Sequence, residues 1–431
     1  MKQRLMKKLT SRNALSGSLG NLLEWYDFSL YGYFAAVIAK LFFPVEGKYT
    51  SLLMAFGVFA VGLFMRPIGG LILGHYGDKL GRKFALILSI VIITLPTFLM
   101  GVLPTYAQIG ITATYILIFL RILQGLSVGG EFIGTTIFLV EHAPNTKRGI
   151  GGSFAYMGQT GGMLGSAFAI TLTDLLTPEQ LYSWGWRIPF LIGIVLGFFG
   201  LYMRKQVFET PPFCQLQKKH AVSRTPLKEV FQHHWKSVLT VFGLILFQAV
   251  SFYMILLYTV TWLNVELGLS KAITFPLNII ATIVFTALIP FFGKVSDKIG
   301  RKPLVMSACA AAFILTFPLF YLIALAPNTS SPFWFALLPL CIFSVILAAY
   351  HGPLAAILVE ITPLKSRYST LAVGYNFSAA IFGGTAPLVA TYMVAKTNNI
   401  FAPCYYLMAA SLITFLVVVF ALKESYHRKI D

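Results

Sequence analysis

The sequence contains one ten-residue stretch twice, and this repeat limits the fold more than any other feature of the chain. Residues 74–83 read GHYGDKLGRK and residues 293–302 read GKVSDKIGRK, so the copies lie 219 residues apart, the difference between 293 and 74. A second pattern, E-x-x-P-x-x-x-R, begins at Glu141 and again at Glu360, at the same offset. Two different motifs repeated at one distance indicate a tandem duplication, in which both copies form the same structural unit.

The composition places both copies in a membrane. Hydrophobic residues make up 57% of the 431 residues and charged residues only 11%, which is more apolar side chain than a soluble core buries. The apolar residues form repeated runs of about 20, the length of helix that crosses a hydrocarbon layer about 30 Å thick. The sequence therefore predicts an all-α membrane protein with many spanning helices.

Twelve apolar runs are long enough to be transmembrane helices, six in each copy. We predict them at residues 15–42, 51–76, 83–103, 110–142, 150–175, 186–204, 237–265, 271–294, 302–325, 333–361, 367–395 and 400–422. The longest polar stretch separates the sixth run from the seventh. This pattern predicts two pseudo-symmetric six-helix bundles, an N-terminal half at residues 1–204 and a C-terminal half at residues 237–431, joined by a cytoplasmic linker at residues 205–236.

The basic residues predict the orientation of the chain in the membrane. Placing both termini on one side puts 26 of the 33 Lys and Arg residues there, five on the other side, and Arg66 and Arg121 within helices. Cytoplasmic loops carry the excess of Lys and Arg, so we expect both termini in the cytoplasm. The net charge of +18 follows from this bias, and we expect the lipid bilayer rather than nucleic acid as a partner.

No pattern in the sequence indicates a catalytic centre. The four cysteines, Cys214, Cys309, Cys341 and Cys404, have no paired or metal-like spacing. The chain also has no nucleophile and base pairing and no nucleotide-binding loop. We therefore expect no metal, no other cofactor and no enzyme activity.

Several motifs give the chain a resemblance to a known family. The DK(L/I)GRK stretch after the second run of each half resembles the major facilitator superfamily of secondary transporters. Four further stretches resemble its metabolite:proton symporter family: GNLLEWYDF at 20–28, RPIGG at 66–70, QGLSVGGE at 124–131 and WGWRIPF at 184–190. That family includes the bacterial proline/betaine, 2-oxoglutarate, citrate and shikimate carriers. YSTLA at 368–372 and YYLM at 405–408 look closest to the proline/betaine branch.

The resemblance implies the major facilitator fold and a location in the bacterial inner membrane. It also implies a chain that works as a monomer and moves a small organic solute together with protons. The osmosensing members of the proline/betaine branch carry a long C-terminal coiled coil, which is not in this sequence. We therefore do not expect osmotic activation through such an element.

The first half places ionisable side chains inside its apolar runs, where a charge is expensive unless it is paired or faces water. Glu24 and Asp27 lie three residues apart on one helical face, and Arg66 and Glu131 lie at similar depth on neighbouring runs. With Arg121, these are three acids against two arginines, and one proton would balance the charge. We predict that the proton-coupling residue is one of Glu24, Asp27 and Glu131, with a permanent ion-pair frame as the alternative.

Arg121 lies near the middle of the fourth run, where a guanidinium can hold a solute carboxylate through two parallel hydrogen bonds. Internal pairing with Glu131 or Asp27 is the alternative. The remaining predicted solute-binding residues are polar or aromatic: Arg66, Tyr31, Gln124, Gln248, Tyr253, Tyr258, His351, Tyr375 and Asn376. Aromatic faces suit the quaternary ammonium group of betaine. His351 either titrates near neutral pH or is a neutral, hydrogen-bonded helix residue.

The repeated loops predict a gate. Asp78 is placed to cap a following helix and to meet Arg148, while Arg82 is placed to reach Glu141. In the superfamily, groups at these positions lock the cytoplasmic ends of helices in the outward-open state, and such pairs break and reform during alternating access. The predicted gating residues are Asp78, Arg82, Glu141, Arg148, Asp297, Arg301, Glu360 and Arg367.

These features together predict a secondary transporter that couples the entry of a small carboxylate-bearing solute to protons by alternating access. A zwitterion or amino acid of the proline/betaine kind is favoured, and a di- or tricarboxylate such as 2-oxoglutarate or citrate is the first alternative. The second alternative belongs to another class, a receptor with a transporter fold that binds a nutrient without moving it.

Overall fold

The computed structural model describes residues 2–44, 48–173, 175–206, 208–223 and 225–426. Within these ranges the chain forms helices and short connections and contains no β-strand. A helix satisfies all of its backbone hydrogen bonds internally, which a lipid environment requires because no water is available there. The all-α class predicted from the apolar runs is confirmed.

The helices of the first repeat are α1 Lys2–Tyr33, α2 Ala35–Phe42, α3 Lys48–Lys79, α4 Arg82–Val102, α5 Tyr106–Ile109, α6 Ile111–His142, α7 Arg148–Thr173, α8 Pro178–Gln180 and α9 Arg187–Lys205. The polar stretch that follows contains α10 Pro211–Lys218 and α11 Pro226–His233. The helices of the second repeat are α12 Trp235–Tyr253, α13 Thr259–Val265, α14 Lys271–Ile299, α15 Lys302–Leu325, α16 Pro332–Glu360, α17 Arg367–Ser378, α18 Ala386–Thr397 and α19 Ala402–Phe420.

The twelve predicted runs correspond to helices, and the twelve-helix architecture is confirmed. Ten segments within the described ranges are long and apolar enough to cross a membrane. The two remaining runs are the first and the fifth. The first run is divided into α1 and α2 at Phe34 and carries two acids, while α7 is 26 residues long but rich in Gly, Ser and Thr. Length alone allows α7 to cross about 30 Å at 1.5 Å per residue.

The seventh and eleventh spans are each continuous through one wider turn. The π-helical turn Met254–Tyr258 joins α12 to α13, and the π-helical turn Ala379–Gly383 joins α17 to α18. Gly383 approaches Tyr253 so closely that a Cβ atom there would lie 2.9 Å from the tyrosine ring. Wider turns of this kind are frequent at functional sites in helices.

The chain divides into two compact units. The first unit consists of Met1–His142, Gly158–Val230 and Leu364–Val373, and the second consists of Ala143–Met157, Phe231–Pro363 and Gly374–Asp431. Each unit therefore contains five complete spans of one repeat and the first turns of a helix from the other repeat. The division at residues 204 and 236 into two halves and a linker stays a prediction.

Glycines allow α3 and α6 to pack backbone against backbone within the first unit. A Cβ atom on Gly125 would lie 2.2 Å from the carbonyl oxygen of Gly62, and one on Gly129 would lie 2.0 Å from that of Arg66. No side chain larger than hydrogen fits at such distances. The stretches 66–70 and 124–131 therefore have a packing role, which holds the charged side chains of both helices in a fixed relation.

Candidate functional site

Arg121 is buried inside the first unit and is surrounded by aromatic rings. Only 1% of its surface is exposed. The centre of its guanidinium lies 4.1 Å from the ring centroid of Tyr31 and 5.4 Å from those of Phe28 and Phe59. Aromatic faces attract a cation, so these three rings from α1 and α3 hold the charge in place without neutralising it.

Gln124 connects Arg121 to Asp27. The Arg121 Nη1 donates to Gln124 Oε1 at 2.8 Å, and Gln124 Nε2 donates to Asp27 Oδ2 at 2.7 Å. Thr97 of α4 also donates its hydroxyl to Asp27 Oδ2. The arginine and the carboxylate therefore act on each other through one amide, and the predicted pairing of Arg121 with Asp27 is indirect.

Both ends of this chain of hydrogen bonds retain free valences. Among the residues that the structure describes, Arg121 Nε and Nη2 and Asp27 Oδ1 have no hydrogen-bond partner, although all three atoms are buried. A buried polar atom without a partner costs free energy, of the order of 1–3 kcal/mol each. Such atoms are the expected binding points for a ligand or for water.

Glu131 lies in a separate buried cluster and pairs with Arg204. The Arg204 Nη1 donates to Glu131 Oε2 at 2.9 Å and Nη2 contacts Oε1. The carboxylate also accepts from the hydroxyls of Ser89 and Thr135. All of these residues are buried, so the geometry favours the permanent ion-pair alternative for this acid.

Arg204 was missed in the sequence, because it follows the sixth apolar run and was assigned to the cytoplasmic side with the other basic residues. Its position in the last turn of a spanning helix, beside three glycines at 193, 197 and 200, is the signal that could have found it. Small residues let a helix approach its neighbours, which brings a long side chain from its end into the protein interior.

Glu24 is fully buried near both clusters. Among the described residues neither of its carboxylate oxygens has a hydrogen-bond partner. The charges of Arg66, Glu131 and Arg204 act on it. Arg66 itself is 2% exposed. The predicted single network is therefore divided in the structure, with Asp27 and Arg121 in one set of contacts and Glu24 in the field of the other.

The predicted solute-binding residues of the second repeat all lie in the second unit and are buried: Gln248, Tyr253, Tyr258, His351, Tyr375 and Asn376. His351 Nδ1 lies 2.8 Å from the carbonyl oxygen of Leu347, which can only accept, so Nδ1 carries the proton and Nε2 is an acceptor. The imidazole stands 5.0 Å from the rings of Tyr156 and Phe285. Within the described part of the chain, His351 Nε2 and Gln248 Oε1 have no hydrogen-bond partner.

The first repeated loop forms a charged cluster in the first unit, which we call the first gate cluster: Asp78, Arg82, Glu141 and Arg367. Asp78 accepts from the backbone N–H groups of Tyr368 and Ser369 at 3.0 and 2.8 Å. These are the first turn of α17, so the carboxylate caps that helix and meets its positive dipole end. Arg367 pairs with Glu141 at 2.7 Å, and Arg82 pairs with Asp78 at 3.1 Å.

The second repeated loop forms the equivalent cluster in the second unit, the second gate cluster: Asp297, Arg301, Glu360 and Arg148. Asp297 accepts from the backbone N–H groups of Gly149 and Ile150 at 2.8 and 2.9 Å, and so caps α7. Arg301 pairs with Asp297 at 2.8 Å and with Glu360 at 3.3 Å. The side chains of this cluster are almost completely buried.

The expected meeting of Asp78 with Arg148 is wrong. Arg148 instead lies 4.0 Å from Glu360 in the second unit and donates to Asn145 at 2.7 Å. Each repeated aspartate caps the fifth span of the opposite repeat, whereas the sequence argument looked within one repeat. The expected approach of Arg82 to Glu141 is present as a long pair at 3.8 Å.

A third repeated pattern was missed because its spacing differs. Glu209-Thr210 follows the sixth span and Glu424-Ser425 follows the twelfth, 215 residues later, the difference between 424 and 209. Glu209 accepts from the backbone N–H of Lys83 at 3.0 Å, and Glu424 accepts from that of Lys302 at 3.0 Å. Each carboxylate therefore caps the third span of its own repeat.

Glu424 lies outside the spanning segments, and its hydrogen bonds determine its protonation. Burial alone would raise the pKa of this carboxyl group. Backbone N–H groups of Tyr426, Arg301, Lys302 and Ser425 donate to it and hold its pKa below the ordinary value of 4.5. The cap is therefore an ionised carboxylate at neutral pH.

Known proteins match this arrangement over nearly the whole chain. Residues 14–234 match the family model described as "Sugar (and other) transporter", and residues 277–430 match that of the "Major Facilitator Superfamily". The glycine betaine/proline/ectoine/pipecolic acid transporter OusA of Dickeya dadantii is 36% identical, over 99% of this chain and 84% of its own length. The proline/betaine transporter of Salmonella typhimurium is 36% identical over 96% of this chain and 83% of its own length.

Solved structures match the fold. A proton:xylose symporter, XylE bound to 6-bromo-6-deoxy-D-glucose, superposes with a TM-score of 0.80 at 18% identity, over 98% of both chains. A second structure, of a D-xylose-proton symporter, gives a TM-score of 0.69 at 19% identity, over 98% of this chain and 100% of that one. At these identities the likeness carries the fold alone.

Proposed function

Since this chain belongs to the major facilitator superfamily, within its group of bacterial proline/betaine transporters, we propose that it is a proton-coupled symporter of a small zwitterion such as betaine or proline. It is a multi-pass membrane protein of a transporter family and not an enzyme. The proton coupling, the solute and the residues that serve them are the content of the proposal, with alternating access as the mechanism.

One observation carries the proposal: a buried arginine with two unpartnered donors stands one amide away from a buried acid. Arg121 Nε and Nη2 lie on the same guanidinium and, within the described residues, have no partner. Two neighbouring N–H groups of one guanidinium match the two oxygens of a carboxylate. The solute carboxylate is the group that binds there.

The charge balance couples this binding to a proton on Asp27. When Asp27 is ionised, its charge acts on Arg121 and the pair is close to neutral. When Asp27 takes up a proton, the charge of Arg121 is no longer compensated, and a solute carboxylate is attracted to it. Each event favours the other by the same free energy, which is the linkage that symport requires.

Asp27 is better placed for the proton than the other two acids. Glu131 is held by Arg204 and two hydroxyls, so a proton there would break a buried ion pair. Glu24 lies in the field of Arg66 and Arg204 and has no described contact with Arg121. Its role in the proposal is to tune the charge of the unit rather than to carry the coupled proton.

The second unit favours a zwitterion over a dianion. The predicted residues of its spans offer acceptors, Gln248 Oε1 and His351 Nε2, which have no partner within the described residues. Its Lys and Arg residues lie at helix ends and in the repeated loop rather than in the middle of a span. Acceptors suit the N–H groups of an ammonium ion, whereas a second carboxylate would need a second cation.

The two gate clusters have the role of holding helix ends together while the solute is bound from one side. Their contacts join an aspartate to the first turn of a helix from the other repeat. Such contacts are made of a few hydrogen bonds and ion pairs, so they can break and reform during a transport cycle. We expect the chain to act as a monomer in the bacterial inner membrane with both termini in the cytoplasm.

The test is uptake by purified protein in liposomes. Labelled betaine, proline, 2-oxoglutarate, citrate and shikimate are offered with an inward proton gradient, with and without an uncoupler. We expect accumulation of betaine or proline that the uncoupler abolishes. Accumulation of a di- or tricarboxylate instead would contradict the zwitterion, and saturable binding without uptake would favour the receptor alternative.

The coupling residue is tested with Asp27→Asn, Glu24→Gln and Glu131→Gln. Asp27→Asn should abolish proton-driven accumulation but keep the exchange of internal for external solute at equal pH, because exchange moves no net proton. If Asp27→Asn accumulates solute as the unmodified chain does, Asp27 is not the coupling residue. If all three variants do so, none of the predicted acids is.

A further inference from the structure

A crevice reaches Asp27 between α1, α4 and α9 of the first unit. Its wall consists of Leu23, Tyr26, Asp27, Ile93, Thr94, Thr97 and Gly193. Arg121, in contrast, is surrounded by side chains of α1, α3 and α6. The carboxylate of Asp27 is therefore in contact with two distinct surroundings, the arginine on one side and the crevice on the other.

The crevice has a polar lining and room for water. Its empty space is about 220 Å³, including the part that is open to the outside, and a water molecule needs about 30 Å³ in the liquid. Thr94 is half-buried in the wall, and Thr97 donates its hydroxyl to Asp27. The other oxygen of the carboxylate, Oδ1, has no partner among the described residues. A water molecule needs two to four polar partners, and these groups supply them.

Two glycines of α9 keep the crevice open. A Cβ atom on Gly193 would lie 2.9 Å from the methyl group of Thr97, and one on Gly197 would lie 2.1 Å from that of Thr94. Any larger residue at either position would press on the two threonines. The space beside the carboxylate therefore exists because α9 presents glycine there.

Few charged groups face Asp27 from the packed helices. From α6 Arg121 acts on it, and from α1 Tyr26 is near enough for its ionisation to be coupled to that of Asp27. The Tyr26 hydroxyl donates to the carbonyl oxygen of Pro189 at 2.9 Å and is thereby held away from proton exchange. The residues that α4 and α9 contribute to the wall are not ionisable. A proton that arrives through the crevice meets Asp27 as its first acceptor.

We propose that this crevice is the proton route to Asp27, separate from the side on which the solute carboxylate meets Arg121. A hydronium ion in the crevice gives its proton to Asp27 Oδ1 and remains as water, and the reverse step returns the proton. The inference rests on the proposed function and adds to it that proton and solute reach the coupled pair from different helices. A packing gap that admits only apolar chains is the alternative.

The experiment compares Thr94→Val with Thr94→Ser and with Thr171→Val in liposomes. Valine has the shape of threonine without the hydroxyl, so Thr94→Val makes the crevice wall apolar, while Thr94→Ser keeps the hydroxyl. Thr171 is exposed on α7, far along the chain from the crevice, and serves as the matched control. Two rates are measured: proton-driven uptake, and solute exchange at equal pH, in which the carrier keeps its proton.

A proton route predicts a split between the two rates. Thr94→Val should lower proton-driven uptake about tenfold and leave exchange within about twofold, while Thr94→Ser and Thr171→Val should leave both unchanged. Gly193→Ala, which fills the crevice from the other wall, should reproduce the split. Equal rates in all variants, or a parallel fall of both rates, would overturn the route. Absence of proton-driven uptake by the unmodified chain is different, because it would remove the proposed function itself.

Discussion

The two units carry nearly the same charged cluster at their repeated loops but differ completely in the middle of their spans. In both gate clusters an aspartate accepts two backbone N–H groups at 2.8 to 3.0 Å and pairs with the arginine four residues later. In the spans, the positions 219 residues after Asp27, Arg121 and Glu131 hold Leu246, Leu340 and Tyr350.

This difference separates two kinds of constraint on a duplicated transporter. A contact that locks helix ends must be present in both repeats, because each repeat supplies the aspartate that caps a helix of the other. A coupling site needs only one acid and one arginine, and every further buried charge costs several kcal/mol. Once the first repeat carried the charges, apolar residues were the more stable choice in the second.

The largest expected effect comes from breaking the buried pair that only the first unit has. Glu131→Gln leaves Arg204 as an uncompensated buried charge, and we expect a loss of about 3–5 kcal/mol of stability. Thermal unfolding in detergent, followed by circular dichroism, measures it. The double variant Glu131→Gln with Arg204→Met should recover part of the loss. A single variant as stable as the unmodified chain would mean that the pair contributes nothing.

Next in size is the removal of Arg121, with the equivalent position of the second unit as its control. Arg121→Met should lower proton-driven uptake at least 100-fold, about 2.7 kcal/mol at 1.4 kcal/mol per factor of ten. Arg121→Lys should recover little, because an ammonium group does not present two parallel donors. Leu340→Met, a substitution of similar volume, should stay within about twofold. Initial uptake rates in liposomes decide the matter, and equal losses at both positions would contradict the asymmetry.

The gate clusters should respond symmetrically. Asp78→Asn and Asp297→Asn each replace an acceptor of two N–H groups by an amide that can accept with only one oxygen, so we expect each to lower transport about tenfold. The measurement is the uptake rate of the two variants at matched protein amounts. A difference of more than tenfold between them would show that the second cluster is a remnant of the duplication rather than a working gate.

The smallest expected effect concerns the caps of the third spans. Glu209→Ala and Glu424→Ala should each cost about 1 kcal/mol of stability at neutral pH, the usual value of a helix cap. Because the pKa of Glu424 is below its ordinary value of 4.5, its contribution is present above that pH and is lost as the pH falls through the lower, folded pKa. The stability difference between Glu424→Ala and the unmodified chain should therefore vanish in stronger acid, which thermal scans between pH 3 and 7 would reveal on the scale of about 1 pH unit.

The repeat made much of the fold and of the gate readable in the sequence, because spacing is preserved by duplication. The twelve spans followed from apolar length alone. The partners of Asp78 did not, since Tyr368 lies 290 residues away and no local pattern reports a contact at that distance. Arg204 was hidden for a different reason, because a basic residue at a helix end is most often solvent-exposed.

The interior of the first unit was only partly readable. The spacing of Glu24 and Asp27 placed both acids on one helix face, and both are buried. Their division between two sets of contacts depends on which glycines let α3, α4, α6 and α9 approach each other, as at Gly125 and Gly129. Helix depth can be counted along a chain, but the rotation of one helix against another cannot.

The single helix α6 gives these separate sites a mechanical connection. It runs from Ile111 to His142 without an internal proline and carries Arg121, Glu131 and Glu141 in turn. Twenty residues of helix between Arg121 and Glu141 span about 30 Å. A rigid tilt of about 5° around the arginine therefore displaces Glu141 by about 2.6 Å, as far as the 2.7 Å that separates it from Arg367. A small rotation at the solute end works as a lever and is enough to pull that latch apart.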